Sequence, residues 1–329
     1  MEKKTKALVL LSGGLDSMLA AKLIMEQNIQ VEAVHFLNPF STDDEEHVND
    51  FCREIGIKVH RVYLEEDFLK VVINPRYGYG SQMNPCIDCR ILLLKKAKKL
   101  AEDIGADFLV TGEVLDERPF SQRRRIMLLI EKEAGLEGKI LRPLSAKLLP
   151  KSEPEKRGLV DREKLLGIRG RRRLAQIELA KKLAIARYPN PSGGCLLTDP
   201  RFAERLREHL KHEKRLSLQD VELLKIGRHF RIGEAKIIVG RNKKENEKLT
   251  SIAKKNSLAY MEVVDYVGPV TILVGKICSE TVKKAAAITT RYSDALRNST
   301  VKIRFSSKEG EQILETEMIK DEELKRFSI

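Results

Sequence analysis

The chain has 329 residues, 42% hydrophobic and 33% charged, enough for two or three globular domains with their own cores. No apolar run approaches the length of a membrane span, and Met1-Glu2-Lys3-Lys4-Thr5-Lys6 leaves no room for a signal peptide's apolar core, so a cytoplasmic location without membrane contact is expected. Five cysteines in such a chain argue against a disulfide framework, and 61 basic against 48 acidic residues, net +13, suit either a polyanionic partner or a lysine-rich thermophile-like surface.

In chain order, the first part alternates strand and helix patterns. Lys6 to Leu11 reads as a strand and Asp16 to Gln27 as a helix, with Gln30 to Phe36 as the next strand. Thr42 reads as an N-cap, and Cys52 falls in the helical pattern that ends at Gly56. Lys58 to Tyr63 is a third strand, Asp88 to Ile104 a helix closed by Gly105, Asp107 to Thr111 a fourth strand and Lys139 to Arg142 a short fifth. Strands separated by helices of this length predict an α/β fold with a doubly wound parallel sheet, and such sheets bind ligands beyond the C-terminal strand ends. Ser12-Gly13-Gly14-Leu15-Asp16-Ser17, His35-Phe36 and Thr111-Gly112 all fall at such ends.

The first of these stretches carries the most chemistry. A strand turning through glycines into a helix points backbone N–H groups and the positive helix end at an anion. Asp16 suits a Mg²⁺ that accompanies a nucleotide, and the Ser12 and Ser17 hydroxyls suit phosphate oxygens. The bland alternative is a tight turn capped by Asp16 or Ser17.

From Asp161 to Tyr188 the pattern is helical and basic, with Arg169, Arg171, Arg172 and Arg173 clustered as Arg123-Arg124-Arg125 are upstream. Pro189-Asn190-Pro191-Ser192-Gly193-Gly194 breaks that pattern and delivers Cys195 on a loop, before a helix from Pro200 to Lys214. Cys86-Ile87-Asp88-Cys89 opens a predicted helix, where thiol pKa values are expected to fall, so these thiolates can attack, carry sulfur or bind metal. Cys195 is the obvious third thiol, since His209 and His212 read as a solvated helix face and Cys278 as a buried small hydrophobe. Three thiolates leave one corner of a cubane cluster open.

After a shift near Leu216 to Gly227, strand patterns (Ala235 to Val239, Tyr260 to Val264, Val270 to Val274) alternate with helical ones (Lys244 to Lys255, Thr281 to Ala287). Val301 to Phe305 and Ile313 to Met318 can close this sheet. The division is therefore a nucleotide-binding domain over 1–188, a cysteine loop and linking helix over 189–215, and a smaller α+β domain over 216–329. Arg241 and Lys243 open a helix where they can reach phosphates.

The string Ser12 to Ser17 resembles the SGGxDS signature of the PP-loop ATP pyrophosphatases. Asn84-Pro85-Cys86-Ile87-Asp88-Cys89 followed by Cys195 is similar to the layout of tRNA thiolases of the 2-thiouridine and 4-thiouridine synthetase type. Cys86 stands where the bacterial 2-thiouridylases have Asp, which brings the chain nearer the relatives that bind a 4Fe–4S cluster through three cysteines. Val239 to Leu249, with Val267-Gly268-Pro269, resembles the RNA-binding domain of NFACT proteins, with Tyr260-Met261-Glu262 in place of that domain's Trp-Phe-His element. These resemblances imply an ATP-dependent tRNA sulfurtransferase, with ATP, Mg²⁺ and a 4Fe–4S cluster as cofactors and with tRNA and a sulfur donor (inorganic sulfide or a carrier protein) as partners. A homodimer is compatible with them.

The implied ATP site is Ser12, Gly13, Gly14, Asp16, Ser17, His35, Phe36, Thr111 and Gly112, with Asp16, Cys89 and Cys195 catalytic and Cys86, Cys89 and Cys195 as metal ligands. The RNA surface is expected at Arg169, Arg171, Arg172, Arg173, Arg241 and Lys243. The alternatives are a cluster-free thiolase using a Cys89 persulfide and Cys195, an amidotransferase-like ligase acting on a small molecule, and a non-catalytic RNA-binding protein.

Overall fold

A computed structural model of the chain describes residues 4–42, 45–188, 194–297 and 299–329. It divides into two compact units, Met1–Asp199 and Pro200–Ile329. No helix among the described residues is long and apolar enough to cross a membrane.

The first unit runs β1 (Lys6–Leu10), α1 (Leu15–Met25), β2 (Gln30–Leu37), α2 (Glu45–Glu54), β3 (Lys58–Tyr63), α3 (Glu66–Ile73), α4 (Cys86–Ile104), β4 (Phe108–Thr111), α5 (Arg124–Ala134), β5 (Ile140–Leu141), α6 (Glu153–Lys156) and α7 (Leu174–Lys182). Its strands form one sheet in the order β3-β2-β1-β4-β5, with every neighbouring pair parallel. The order reverses between β1 and β4, and the crevice beyond such a reversal is where open α/β sheets hold ligands. Period-2 alternation along β1 builds a core on each face. Ala7 and Val9 face α1, α2 and α7, whereas Leu8 faces α4 and α5. All three are fully buried, and burying a side chain of Val or Leu size contributes about 1.5–3 kcal/mol.

The second unit runs α8 (Pro200–His212), α9 (Leu218–Leu224), β6 (Arg228–Ile232), β7 (Ala235–Val239), α10 (Lys243–Asn256), β8 (Ala259–Val263), β9 (Val270–Val274), α11 (Ser279–Arg291), β10 (Val301–Ser307), β11 (Gly310–Thr316) and α12 (Asp321–Phe327). The sheet order is β11-β10-β8-β9-β7-β6, antiparallel throughout. On β7, Ile237 and Val239 pack toward α11 and Ile238 toward α10.

Three expectations change. Asp161 to Tyr188 is α-helical only over α7, with a single 3-10 turn at Arg162–Lys164, because Gly170 takes φ +88° and the chain just before α7 is paired to the loop after β4 through a Leu115–Arg169 bridge. Cys278 is exposed at the N-cap of α11. His209 is buried, with Nε2 3.1 Å from the Arg215 carbonyl. The Pro189–Gly193 break lies outside the described residues, as does the position before α2 where a cap would sit.

Candidate functional site

The loop from β1 to α1 is built from its own hydroxyls. Ser17 Oγ donates to the Gly14 carbonyl at 2.7 Å, and Ser12 N donates to Ser17 Oγ at 3.2 Å. Gly14 N donates to Ser12 Oγ at 3.4 Å. Gly13 takes φ +79°, and a Cβ there would meet Val48 Cγ2 at 2.9 Å, so both conformation and space demand glycine. Gly14 is the N-cap of α1, with no side chain bonded to the helix end, while Ser17 N donates to the Gly14 carbonyl at 3.1 Å.

Thr111 and Gly112 end β4 beside this loop. A Cβ on Gly112 would sit 2.4 Å from Ser17 N and 2.5 Å from the Asp16 carbonyl. Gly112 thus lets the end of β4 approach the backbone of the loop itself. His35 is buried, with Nδ1 2.8 Å from the Leu11 carbonyl, so its ring ties β2 to the end of β1. Phe36 packs against the α4 face of the sheet. Among the described residues, neither side chain makes a hydrogen bond to Ser12–Ser17.

Asp16 projects from the first turn of α1 toward charged groups that the sequence reading did not place beside it. Its Oδ2 lies 3.7 Å from Arg173 Nη2. Burial raises its pKa, partly offset by Arg173 and Arg118. Glu117 is its neighbour, and burial together with the Asp16 charge pushes the Glu117 carboxyl up to about 7. Arg173 arrives here because Ser145 Oγ accepts from Leu115 N (2.9 Å) and donates to the Ile168 carbonyl (2.7 Å), laying residues 165–173 along the loop after β4. Arg173 therefore lies beside Asp16, while Arg171 and Arg172 are exposed. Arg169 is exposed too but pairs with Asp116 at 2.6 Å. The signal for Glu117 was its place six residues after Thr111, at the end of the strand that flanks the loop.

The cysteines are gathered by backbone pairing. Cys86 and Cys89 lie one turn apart at the start of α4, where Cys89 N donates to the Pro85 carbonyl at 2.8 Å. Asn84 organises the turn before them. Its Oδ1 accepts from Gln82 N at 3.0 Å and its Nδ2 approaches Cys86 Sγ at 3.1 Å. Asp88 accepts from Arg76 N and Tyr77 N, both at 3.0 Å, and so anchors the preceding loop. Cys195 comes in as a strand-like bridge to Ser41. Leu196 N donates to the Phe40 carbonyl (2.9 Å) and Met83 N to the Leu197 carbonyl (3.2 Å).

Burial pushes the Cys89 thiol up to about 12, with Cys86 and Cys195 close enough to add to the rise and Arg90 and Arg118 opposing it. The lowering expected from the helix end is outweighed by desolvation and the neighbouring thiols. The donor chemistry is right for a three-cysteine cluster, although among the described residues no group of three ligands stands close enough to hold a metal ion. The Arg118 charge opposes the rise of both the Asp16 carboxyl and the Cys89 thiol.

In the second unit, Arg241 is held by Glu245, Nη2 to Oε1 at 2.5 Å, while Lys243 is exposed at the start of α10. A Cβ on Gly240 would meet Asn246 Oδ1 at 2.0 Å. That oxygen accepts from Val270 N at 3.1 Å, so Gly240 and Asn246 lock the two family landmarks together. They line a groove with Arg228, whose guanidinium lies 4.5 Å over the Tyr292 ring.

Residues 3–147 match the family described as thiamine biosynthesis protein (ThiI), and residues 227–328 match the NFACT protein RNA binding domain. A tRNA-specific 2-thiouridylase MnmA from Syntrophotalea carbinolica is 36% identical over 123 residues, 34% of this chain and 35% of that one. A probable tRNA sulfurtransferase from Caldanaerobacter subterraneus subsp. tengcongensis is 35% identical over 119 residues, 34% of this chain and 30% of that one. The chain thus spans about a third of the length of these curated relatives. Among solved structures, the U34-tRNA thiolase NcsA from Methanococcus maripaludis with its [4Fe-4S] cluster aligns at 18% identity and TM-score 0.33, over 68% of this chain and 74% of that one. The chain is similar to the PP-loop tRNA sulfurtransferases of the ThiI type in its first unit and to the NFACT RNA-binding domain in its second.

Proposed function

We propose that the protein is an ATP-dependent tRNA sulfurtransferase that replaces a uridine oxygen with sulfur. The observation that carries this reading is that one unit holds both the phosphate loop after β1 and three thiols gathered at the start of α4, where Cys86 and Cys195 lie near enough to Cys89 to raise its thiol pKa. A loop for pyrophosphate alone suits many ligases. A loop joined in one unit by three cysteines suits activation of a carbonyl followed by sulfur attack.

In the first step the uridine carbonyl oxygen attacks the α-phosphorus of ATP, the α–β bridging bond breaks and pyrophosphate leaves. The loop N–H groups receive the developing charge, and Asp16 is the residue that would hold the accompanying Mg²⁺, which would offset charge on the phosphates. In the second step a sulfur nucleophile attacks the activated carbon, and AMP departs with the former carbonyl oxygen. Asn84 and Asp88 position the Cys86–Cys89 turn for this step, and the half-buried setting of Cys89 restricts water. Cys86, Cys89 and Cys195 are the residues that would hold a 4Fe–4S cluster, which when bound supplies an iron position for sulfide. The second unit, through Lys243 and the Arg228–Tyr292 groove, supplies the tRNA contacts.

The test is nucleoside mass spectrometry of tRNA from cells lacking the protein, where one thiouridine should disappear and return with the wild-type chain. Asp16→Ala should abolish tRNA-dependent pyrophosphate release, whereas Cys89→Ser should retain that release and lose thiolation. An unchanged thiouridine profile would overturn the proposal. Iron and labile-sulfide analysis after anaerobic purification separates a cluster from a Cys89 persulfide.

A further inference from the structure

Unpartnered polar atoms gather at one place in the first unit. Asp16 Oδ1, Glu117 Oε2, Arg173 Nε and both amide atoms of Gln176 are buried, and none makes a hydrogen bond among the described residues. They arrive from three segments: the first turn of α1, the loop after β4, and the start of α7. Buried polar atoms are almost always partnered, so a cluster of unpartnered ones marks a place built for a ligand.

We propose that Asp16 and Glu117 together form a two-carboxylate site for a divalent cation at the phosphate loop, and that the Arg173 guanidinium stands in for that cation in the metal-free protein. The inference deepens the ATP-using reading above and rests on it for the identity of the ligand. A Mg²⁺ ion in a nucleotide site takes one or two carboxylates and completes its shell with phosphates and water. Two carboxylates at the end of an anion-binding loop meet that requirement without a third protein acid.

Gln176 supplies the independent observation. It is 0% exposed, neither of its amide atoms meets the geometry of a full hydrogen bond among the described residues, and it lies near enough to the Asp16 carboxyl to lower its pKa. Its amide can donate to a carboxylate and accept from a metal-bound water at once. Arg173 is held loosely: its one ion-pair contact is 3.7 Å long, well beyond the 2.7–2.9 Å of a charge-assisted hydrogen bond. A guanidinium held by the local field, rather than by a bidentate fork, is released once a divalent ion supplies the charge. Its neighbours Arg171 and Arg172 are exposed, so the segment has an outward path. Arg173 thereby acquires a role distinct from the RNA contact that its basic run suggested.

Binding of Mn²⁺ to the full chain, followed by electron paramagnetic resonance, tests this without reference to thiolation. Wild-type protein should bind one Mn²⁺. Asp16→Asn and Glu117→Gln should each weaken that binding at least about tenfold, the size expected when a charged ligand is lost. Glu117→Asp should retain most of it, and thermal melting establishes that each variant is folded. Arg173→Gln should tighten Mn²⁺ binding several-fold in nucleotide-free protein. Unchanged Mn²⁺ affinity in folded Glu117→Gln overturns the two-carboxylate site, and unchanged or weaker affinity in Arg173→Gln overturns the stand-in role. Binding of a fluorescent ATP analogue is the separate arm. Its absence in wild type overturns the ATP-using reading, whereas normal nucleotide binding with an unaltered Glu117→Gln overturns only the present inference.

Discussion

Lys236 lies on β7 with its side chain 7% exposed, and burial pulls its pKa down to about 8 despite Glu208. Glu208 is already engaged by Arg231, Nε to Oε1 at 2.6 Å and Nη2 to Oε2 at 3.1 Å, so Lys236 receives only a 3.3 Å contact. Between pH 8 and the unfolded value near 10.5 the folded chain has lost this proton and the unfolded chain keeps it. The unfolded state then binds more protons, so stability rises with pH across that window, and the penalty is fully present below it. Lys236→Met removes the titrating group and leaves the Arg231–Glu208 fork. Its unfolding free energy relative to wild type should be most favourable at pH 7 and decline by about 1–3 kcal/mol toward pH 10. Urea denaturation of the C-terminal unit at both pH values checks this, and a pH-independent difference would contradict it. Nothing in the sequence marks Lys236, since a lysine in a strand pattern reads as solvent-facing until the helix packed above it is known.

At the scale of elements, the fit of β4 against α1 decides whether the phosphate loop forms. Gly112 lies so close to the Asp16–Ser17 backbone that any Cβ collides with main-chain atoms, which cannot swing aside. Gly112→Ala should destabilise the first unit by about 1–3 kcal/mol and weaken ATP binding together with Mn²⁺ binding. Thermal melting and nucleotide titration check this, and unaltered nucleotide affinity would contradict it. Most strands were legible within a residue or two, because period-2 alternation and glycine or turn punctuation act locally; β3 and β7 coincide with their predicted spans, whereas β6 was missed and β11 begins three residues before its predicted span. Gly105 likewise ended α4 as expected, in the left-handed conformation at φ +67°. α5 was missed because Arg123-Arg124-Arg125 obscured the apolar stripe of Met127, Ile130 and Ala134 on its buried face. The basic run before α7 was misread as helix because its non-helical path depends on pairing with the loop after β4, a contact more than fifty residues distant in sequence.

Across the whole molecule, the two units divide the work proposed here, chemistry in the first and RNA retention in the second. Removing residues 200–329 should therefore weaken tRNA binding. It should also flatten its salt dependence, since each lost phosphate contact removes about 0.7–0.9 from the log–log slope. Filter binding across a salt series checks this, and an unchanged slope would place the tRNA contacts on the first unit alone. The sequence by itself determined the parallel sheet, the anion loop at its first strand, the three cysteines of interest and the resemblance of each unit to a known family. These follow from local periodicity and from residue types that carry chemistry at fixed spacing. Only the tertiary structure decided which groups meet: Glu117, Arg173 and Gln176 around Asp16, a Cys89 thiol raised rather than lowered, and Gly112 against the loop backbone. Burial and long-range packing set local charge and space, and neither is written in the spacing of neighbouring residues.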